Sequence, residues 1–122
     1  MRILIVDDEP DIRRIANLAL RKLGGHDVIE AENGMDALRL AAEHNPDLVL
    51  LDVMMPLMDG PTTLAALKKN LATAHIPVIF LTAKAIHSEV ERWRALGAVA
   101  TFTKPFDPIR LDKDVRAALG RP

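Results

Sequence analysis

The sequence predicts an α/β fold: five parallel strands in a doubly wound sheet, with helices packed on both faces. Five short apolar runs alternate with segments in which apolar residues recur at helical spacing. The runs are continuous rather than alternating, as in Leu48-Val49-Leu50-Leu51 before Asp52, which is typical of strands buried on both faces of a sheet. Glycine and proline punctuate the connections, and strands that alternate with helices favour right-handed βαβ units.

Each predicted strand is a short apolar or β-branched run that ends at turn residues or charged residues. The weakest of them begins at His26, because only Val28 and Ile29 form its apolar centre. Pro77 lies at the beginning of the fourth strand, where the missing N–H group is tolerated. The five predicted strands are Arg2–Val6, His26–Ala31, Asp47–Asp52, Ile76–Thr82 and Val99–Thr103.

Most of the predicted helices have a recognisable start or stop signal. Pro10 suits the first turn of the first helix, and Gly24-Gly25 ends it, since glycine tolerates the left-handed backbone of a helix C-terminus. Asp107 is expected to cap the fifth helix, with Pro108 at its first position. The second predicted helix follows a turn at Asn33-Gly34, is marked by Ala37, Leu38, Leu40 and Ala41, and stops by Asn45-Pro46. The other four predicted helices run from Glu9 to Leu23, from about Pro61 to Leu71, from Ala83 to Leu96 and from Pro108 to Leu119.

Length and composition exclude several classes of function. The chain has 122 residues, enough for one compact domain, and its 16 Lys and Arg residues nearly balance 17 Asp and Glu. A net charge of −1 gives no basis for direct binding to nucleic acid or to a membrane surface. The absence of cysteine excludes disulfides, thiol nucleophiles and thiolate zinc sites. No segment approaches the length of a membrane span, so a soluble cytoplasmic protein is expected.

Charged and hydroxyl side chains stand at the ends of four predicted strands. Asp7 and Asp8 follow the first strand, Asp52 ends the third, Thr82 ends the fourth and Lys104 follows the fifth. The carboxyl ends of parallel strands meet at one edge of a sheet, which is where ligands of such folds bind. We therefore expect three carboxylates, a hydroxyl and an ammonium group to converge there.

The convergence of three carboxylates predicts a cation site, because like charges held together repel unless a cation is shared among them. Mg²⁺ is the natural candidate, since it prefers carboxylate, water and phosphate oxygens, and Mn²⁺ is the substitute. Beside such an ion, Lys104 and Thr82 suit the oxygens of a phosphoryl group, as a point charge and a hydrogen-bond donor.

These motifs stand in the register of a known family. Asp7-Asp8, Asp52 with Met55-Pro56 and Asp59-Gly60 after it, Thr82-Ala83 and Lys104-Pro105-Phe106 together resemble a receiver domain of two-component response regulators, similar to the chemotaxis regulators. The resemblance covers essentially the whole chain. It implies a flavodoxin-like (βα)5 fold with strand order 2-1-3-4-5 and one receiver domain over residues 1–122, without an output domain.

The resemblance also implies a role for each site residue. Asp52 would be the phosphoacceptor that forms an aspartyl phosphate, and a cation would be bound by Asp8, Asp52, the backbone carbonyl of Met54 and, through water, Asp7. Lys104 would pair with the phosphoryl oxygens, while Thr82 would move toward them and shift the segment that begins at Ala83. The Lys104–Pro105 peptide bond would be cis.

The partners implied are a histidine kinase or phosphotransfer protein as donor, and a downstream protein target or a missing output domain as receiver of the signal. The expected oligomeric state is a monomer or weak dimer, because Val99-Ala100 replaces the acidic residues that support dimers in winged-helix regulators. Receivers usually carry an aromatic residue three positions before the lysine, where this chain has Thr101, and strand alternation should send the ring of Phe102 to the opposite face.

Trp93 and Arg94 on the fourth helix, together with Thr101, are a candidate partner surface, since aromatic residues with a neighbouring Arg are favoured as interface anchors. The alternative is that Trp93 packs over Val90 and Gly97 as part of the core. The four histidines, at positions 26, 44, 75 and 87, have no metal-binding spacing and are expected at the surface.

Three other functions compete with the phosphoacceptor. A phosphatase with an aspartyl-phosphate intermediate needs an acid two residues beyond the nucleophile, where this chain has Met54, so turnover of external substrates is not expected. A scaffold that kept the fold without the chemistry would be expected to lose Asp8, Asp52 or Lys104, and all are present. A flavin-binding protein would need a phosphate-cradling loop in place of Asp7-Asp8-Glu9. Met54 and Lys84 flank the expected site and are predicted to tune autodephosphorylation.

Overall fold

One parallel sheet forms the centre of the protein in a computed structural model that describes residues 1–121. The strands are β1 (Arg2–Val6), β2 (Asp27–Ala31), β3 (Leu48–Asp52), β4 (Val78–Thr82) and β5 (Ala100–Thr103). The helices are α1 (Pro10–Lys22), α2 (Gly34–His44), α3 (Gly60–Lys69), α4 (His87–Leu96) and α5 (Leu111–Ala118). The strand order is β2-β1-β3-β4-β5 with every neighbouring pair parallel, which confirms the predicted fold class. Pro122, the last residue of the predicted domain, lies outside the described residues.

Two apolar cores cover the two faces of the sheet. Alternate side chains of each strand point to opposite faces, so neighbouring residues such as Leu50 and Leu51 belong to different cores. One core packs against α2, α3 and α4, and the other packs against α1 and α5. Every residue of β3 and β4 is buried, whereas the edge strands β2 and β5 are partly exposed, which explains why His26–Ala31 gave a weak strand signal.

Local hydrogen bonds start the helices that lie beside the carboxyl edge of the sheet. The side chain of Asn33 accepts a hydrogen bond from the Asp36 N–H at the start of α2, and Asp59 does the same for Thr62 at the start of α3. Gly60 is required where α3 begins, because a Cβ there would lie 2.5 Å from the backbone oxygen of Asp52. α3 therefore starts in direct contact with the end of β3.

Two predicted helix starts were wrong. α4 begins at His87 rather than Ala83, because the Lys84 N–H is bonded to the Thr82 hydroxyl and the segment 83–86 forms a loop. α5 begins at Leu111 rather than Pro108. Asp107 accepts its side-chain hydrogen bond from the Ile109 N–H in a local turn, so it does not cap α5.

The predicted surface position of His26 was also wrong. Its Nδ1 lies 3.1 Å from the Met1 amino group and its Nε2 lies 2.6 Å from Asp112 Oδ1, so both ring nitrogens have polar partners although the side chain is buried. Asp112 also accepts a hydrogen bond from Arg116. Asp112 is 86 residues away in sequence, so the pattern around His26 contained no sign of this network.

Burial alone would raise the pKa of the Asp112 carboxyl. The hydrogen bonds from His26 and Arg116 outweigh burial and hold that pKa below its usual value.

Among residues 1–121, no helix has both the length and the apolar character that crossing a bilayer requires.

Replacing Asp112 by Asn should lower the free energy of unfolding by roughly 1–2 kcal/mol at about pH 7, because the amide gives His26 and Arg116 no charge to bind. The lowered pKa means that the carboxylate contributes stability above its unfolded value of 3.8 and loses it as the pH falls through the folded-state pKa. Urea denaturation should therefore find a smaller difference between variant and wild type at about pH 3. Asp114→Asn, an exposed position on the same helix, is the control. An equal difference at both pH values would contradict the role of the charge.

Candidate functional site

Three carboxylates meet where β1 and β3 end side by side. Asp7, Asp8 and Asp52 each offer an oxygen, and these oxygens all lie within 4.8 Å of one another. Asp7 and Asp52 are buried, whereas Asp8 faces solvent. The sheet order places β1 next to β3, so residues 45 positions apart become neighbours without any local sequence signal. The predicted convergence of the three carboxylates is confirmed.

Both oxygens of Asp7 are held by protein groups. Oδ1 accepts a hydrogen bond of 2.9 Å from the Glu9 N–H, and Oδ2 accepts one of 2.8 Å from Lys104 Nζ. The guanidinium group of Arg13 donates to the Asp7 backbone oxygen at 2.6 Å and pairs with Glu30. Asp7 is therefore fixed in orientation by the loop after β1 and by α1.

Lys104 reaches the cluster from the end of β5. Its ammonium nitrogen lies 2.8 Å from Asp7 Oδ2 and 3.1 Å from Asp52 Oδ1. Burial alone would lower the pKa of Lys104, but the hydrogen bonds and charges of the two carboxylates outweigh burial and raise it above its usual value. The ammonium group is therefore charged at neutral pH. The Lys104–Pro105 peptide bond is cis, as expected.

Asp52 is less well satisfied by protein groups than Asp7, the other buried carboxylate of the cluster. Burial, followed by the charge of Asp7, raises its pKa to about 6 in spite of the opposing effect of Lys104. Its contacts with Lys104 and with the Met54 N–H use Oδ1. Within residues 1–121, no protein group donates a hydrogen bond to Oδ2, and this oxygen is not sealed from solvent. Asp52 thus combines a fixed oxygen with a free one.

The arrangement fits a hard divalent cation. Three carboxylates at this spacing supply more negative charge than the one ammonium group of Lys104 neutralises. No group of residues 1–121 donates a hydrogen bond to the carboxylate of Asp8. Mg²⁺ is commonly bound by one or two carboxylates together with water and phosphate oxygens. The side chain of Met54 is exposed beside the cluster.

Thr82 lies beside Asp52 but is turned toward its own loop. Asp52 pairs with Leu81 in the sheet, which places Thr82 one residue beyond the phosphoacceptor candidate. The buried Thr82 hydroxyl donates to the Lys84 carbonyl at 3.1 Å and accepts from the Lys84 N–H at 3.3 Å. Ala83, between them, is exposed.

The three residues predicted as a partner surface do not form one surface. Trp93 is only 4% exposed and its ring contacts Phe80 edge-on, with ring centroids 5.3 Å apart, so the expectation of an exposed anchor was wrong. The physical reason is that Trp93 lies on the side of α4 that faces the sheet. Arg94 is exposed, and Thr101 is half-buried.

Sequence reasoning missed two contributions to the site. The Glu9 N–H orients Asp7, and Arg13 fixes the loop between β1 and α1. An Asp shortly before a helix start is a signal for the first contact, since Asp side chains commonly accept from the N–H two residues on. The Arg13 contact had no such signal, because a basic residue on an exposed helix turn is ordinary.

The chain matches a known family along most of its length. The sequence profile described as "Response regulator receiver domain" matches residues 3–116. Protein PilH of Pseudomonas aeruginosa is 40% identical over 118 residues, covering 97% of this chain and 97% of PilH. The chain therefore belongs to the receiver-domain family of two-component response regulators, whose members are signalling domains.

Longer regulators and solved structures are also similar to this chain in sequence or fold. RpaA of Synechocystis sp., named as a DNA-binding dual master transcriptional regulator, is 40% identical over 121 residues, which cover 98% of this chain and 49% of RpaA. The chain thus spans about half the length of that relative. The structure of the chemotaxis protein CheY4 of Vibrio cholerae aligns with a TM-score of 0.90 at 29% identity, covering 96% of this chain and 97% of CheY4.

Replacing Asp52 by Asn should raise the free energy of unfolding of the metal-free protein by on the order of 1–2 kcal/mol at about pH 7.5, since a neutral amide avoids both the burial of a charge and its repulsion by Asp7. The raised pKa means that wild type gains stability as the pH falls from about 6 toward the unfolded value of 3.8, where the two proteins should become equal. Urea denaturation with a chelator present measures this difference, and Glu91→Gln, an exposed position on α4, is the control. A variant that is less stable than wild type at about pH 7.5 would contradict the charge repulsion.

Proposed function

We propose that this chain is a phosphoacceptor signalling domain in which Asp52 receives a phosphoryl group from a histidine kinase or a phosphotransfer protein. The observation that supports this most directly is the asymmetry of Asp52. One oxygen is held by Lys104 and the Met54 N–H, while the other has no protein partner in residues 1–121. The free oxygen is the nucleophile.

The transfer is an in-line displacement. A bond forms between Asp52 Oδ2 and phosphorus as the bond between phosphorus and the donor's imidazole nitrogen breaks, and the electron pair stays on that nitrogen. The product is an aspartyl phosphate. Holding Oδ1 leaves Oδ2 as the single oxygen available to a donor, so the protein contributes mainly orientation and electrostatics.

Asp8, Asp52 and the Met54 carbonyl would hold Mg²⁺ or Mn²⁺ directly, and Asp7 would hold it through water. The ion supplies positive charge beside the phosphoryl oxygens when it is bound. Asp7 also keeps Lys104 in place through the 2.8 Å contact, so the lysine stays next to Asp52 and can pair with a phosphoryl oxygen.

Thr82 is the residue that changes partner on phosphorylation. Its hydroxyl gives up the two hydrogen bonds to the Lys84 backbone and donates to a phosphoryl oxygen, which draws the segment 83–86 toward the site. The phosphoryl group adds charge and acceptor oxygens that the unmodified site lacks, so it stabilises one of two arrangements of this loop and α4.

The rest of the proposal concerns context. The chain acts as one receiver domain, loses its phosphoryl group to water rather than turning over external substrates, and passes its signal to a protein target or to a further domain. We place it in the cytoplasm as a monomer or weak dimer that does not itself bind nucleic acid, which its net charge of −1 supports.

Incubation with Mg²⁺ and acetyl phosphate should add one phosphoryl group to the wild-type protein, as measured by intact mass. Asp52→Asn and a sample with chelator should gain none, because the nucleophile or the neutralising charge is absent. Asp47→Asn, an aspartate at the opposite edge of the sheet, should be modified as well as wild type. An adduct on the Asp52→Asn variant, or no adduct on folded wild type with any small phosphodonor, would contradict the proposal.

The side chains of Met54 and Lys84 should set the lifetime of the aspartyl phosphate. Both line a cavity of about 190 Å³ beside the ends of β3 and β4, so they limit how water approaches Asp52. Met54→Ala and Lys84→Ala should each change the half-life of the phosphoprotein severalfold, whereas Lys69→Ala, an exposed lysine on α3, should not. Unchanged half-lives, followed by intact mass after removal of the donor, would contradict this role.

A further inference from the structure

The cavity of about 190 Å³ lies between α4 and the loops that follow β3 and β4. The loop after β3 contributes Met54, and the loop after β4 contributes Thr82 and Lys84. The remaining wall is formed by α4, with Glu89 near its start and the indole of Trp93 one turn further on. Thr82 and Trp93 therefore border the same space, although one belongs to the sheet and the other to a helix.

Trp93 lies on the same face of the sheet as Thr82. Phe80 precedes Thr82 by two residues on β4, so both side chains point to the face that α4 covers. Phe80 cannot retreat from Trp93 easily, because a Cβ on Gly60 would already lie 2.9 Å from its ring on another side. Phe80 therefore has a close neighbour in α3 as well as Trp93 in α4.

No aromatic side chain from β5 occupies this face. Thr101 pairs with Phe80 across the sheet, and the ring of Phe102 packs into the core on the opposite face. Among residues 1–121, Trp93 is the one aromatic residue that lines the cavity with Thr82.

We propose that Trp93 is the positioning residue that couples the Thr82 segment to α4. When the Thr82 hydroxyl leaves the Lys84 backbone for the phosphoryl oxygens, the segment 83–86 moves across the cavity and the indole repacks with it. α4 moves as a consequence, and its exposed residues, Arg94 among them, change position. The inference rests on the proposed phosphoacceptor function, because it needs a phosphoryl group on Asp52.

Trp93 is the only tryptophan of the chain, so its fluorescence reports this coupling directly. When Mg²⁺ and acetyl phosphate are added, the emission should shift in proportion to the phosphorylated fraction. Intact mass spectrometry of the same samples measures that fraction. Thr82→Ala, compared at an equal phosphorylated fraction, should give little or no shift, since no hydroxyl draws the loop. An unchanged spectrum at full phosphorylation, or an undiminished shift in Thr82→Ala, would overturn the coupling while leaving the phosphoacceptor function intact.

Hydrogen exchange of the segment 83–96 tests whether Trp93 transmits the movement of the loop to α4 or only fills the core. Phosphorylation should change the exchange of this segment in wild type and in Trp93→Phe, which keeps an aromatic ring against Phe80. In Trp93→Leu the change should be lost at an equal phosphorylated fraction, and a change as large as in wild type would overturn the inference. Failure of wild-type Asp52 to take the phosphoryl group would overturn the proposed function, and this inference with it.

Discussion

The contact of the Lys104 ammonium group with both Asp7 and Asp52 is the interaction on which the site depends. Burial and the charge of Asp7 both raise the pKa of Asp52, and the contact with Lys104 opposes them only in part. The arrangement requires β1 beside β3 and a residue after β5 that reaches across the end of β4. The chemistry of the site therefore depends on the order of the strands in the sheet.

The two ends of the sheet illustrate opposite uses of buried charge. At the amino ends of the strands, His26, Asp112 and Arg116 satisfy one another, and the pKa of Asp112 is lowered, which is typical of a stabilising network. At the carboxyl ends, Asp52 keeps a raised pKa and an oxygen to which no group of residues 1–121 donates a hydrogen bond. A perturbed pKa that neighbouring groups do not restore to its usual value is characteristic of functional sites.

The predictions that failed have a common physical cause. The starts of α4 and α5 depended on whether Thr82 and Asp107 bonded to nearby turns or to helix N–H groups, and both alternatives suit these residue types. The burial of His26 depended on Asp112, and the burial of Trp93 depended on Phe80. In each case the local sequence allowed more than one arrangement, and a contact in the folded structure decided between them.

The sequence by itself determined the fold class, the five strands and the identity of the residues at their carboxyl ends, because apolar periodicity and turn residues act locally. Only the tertiary structure decided which oxygen of Asp52 is free, where Lys104 binds, and that Thr82 and Trp93 border one cavity. Those features depend on distances between segments far apart in the chain. Such distances arise from packing two cores around the sheet, and no local pattern encodes them.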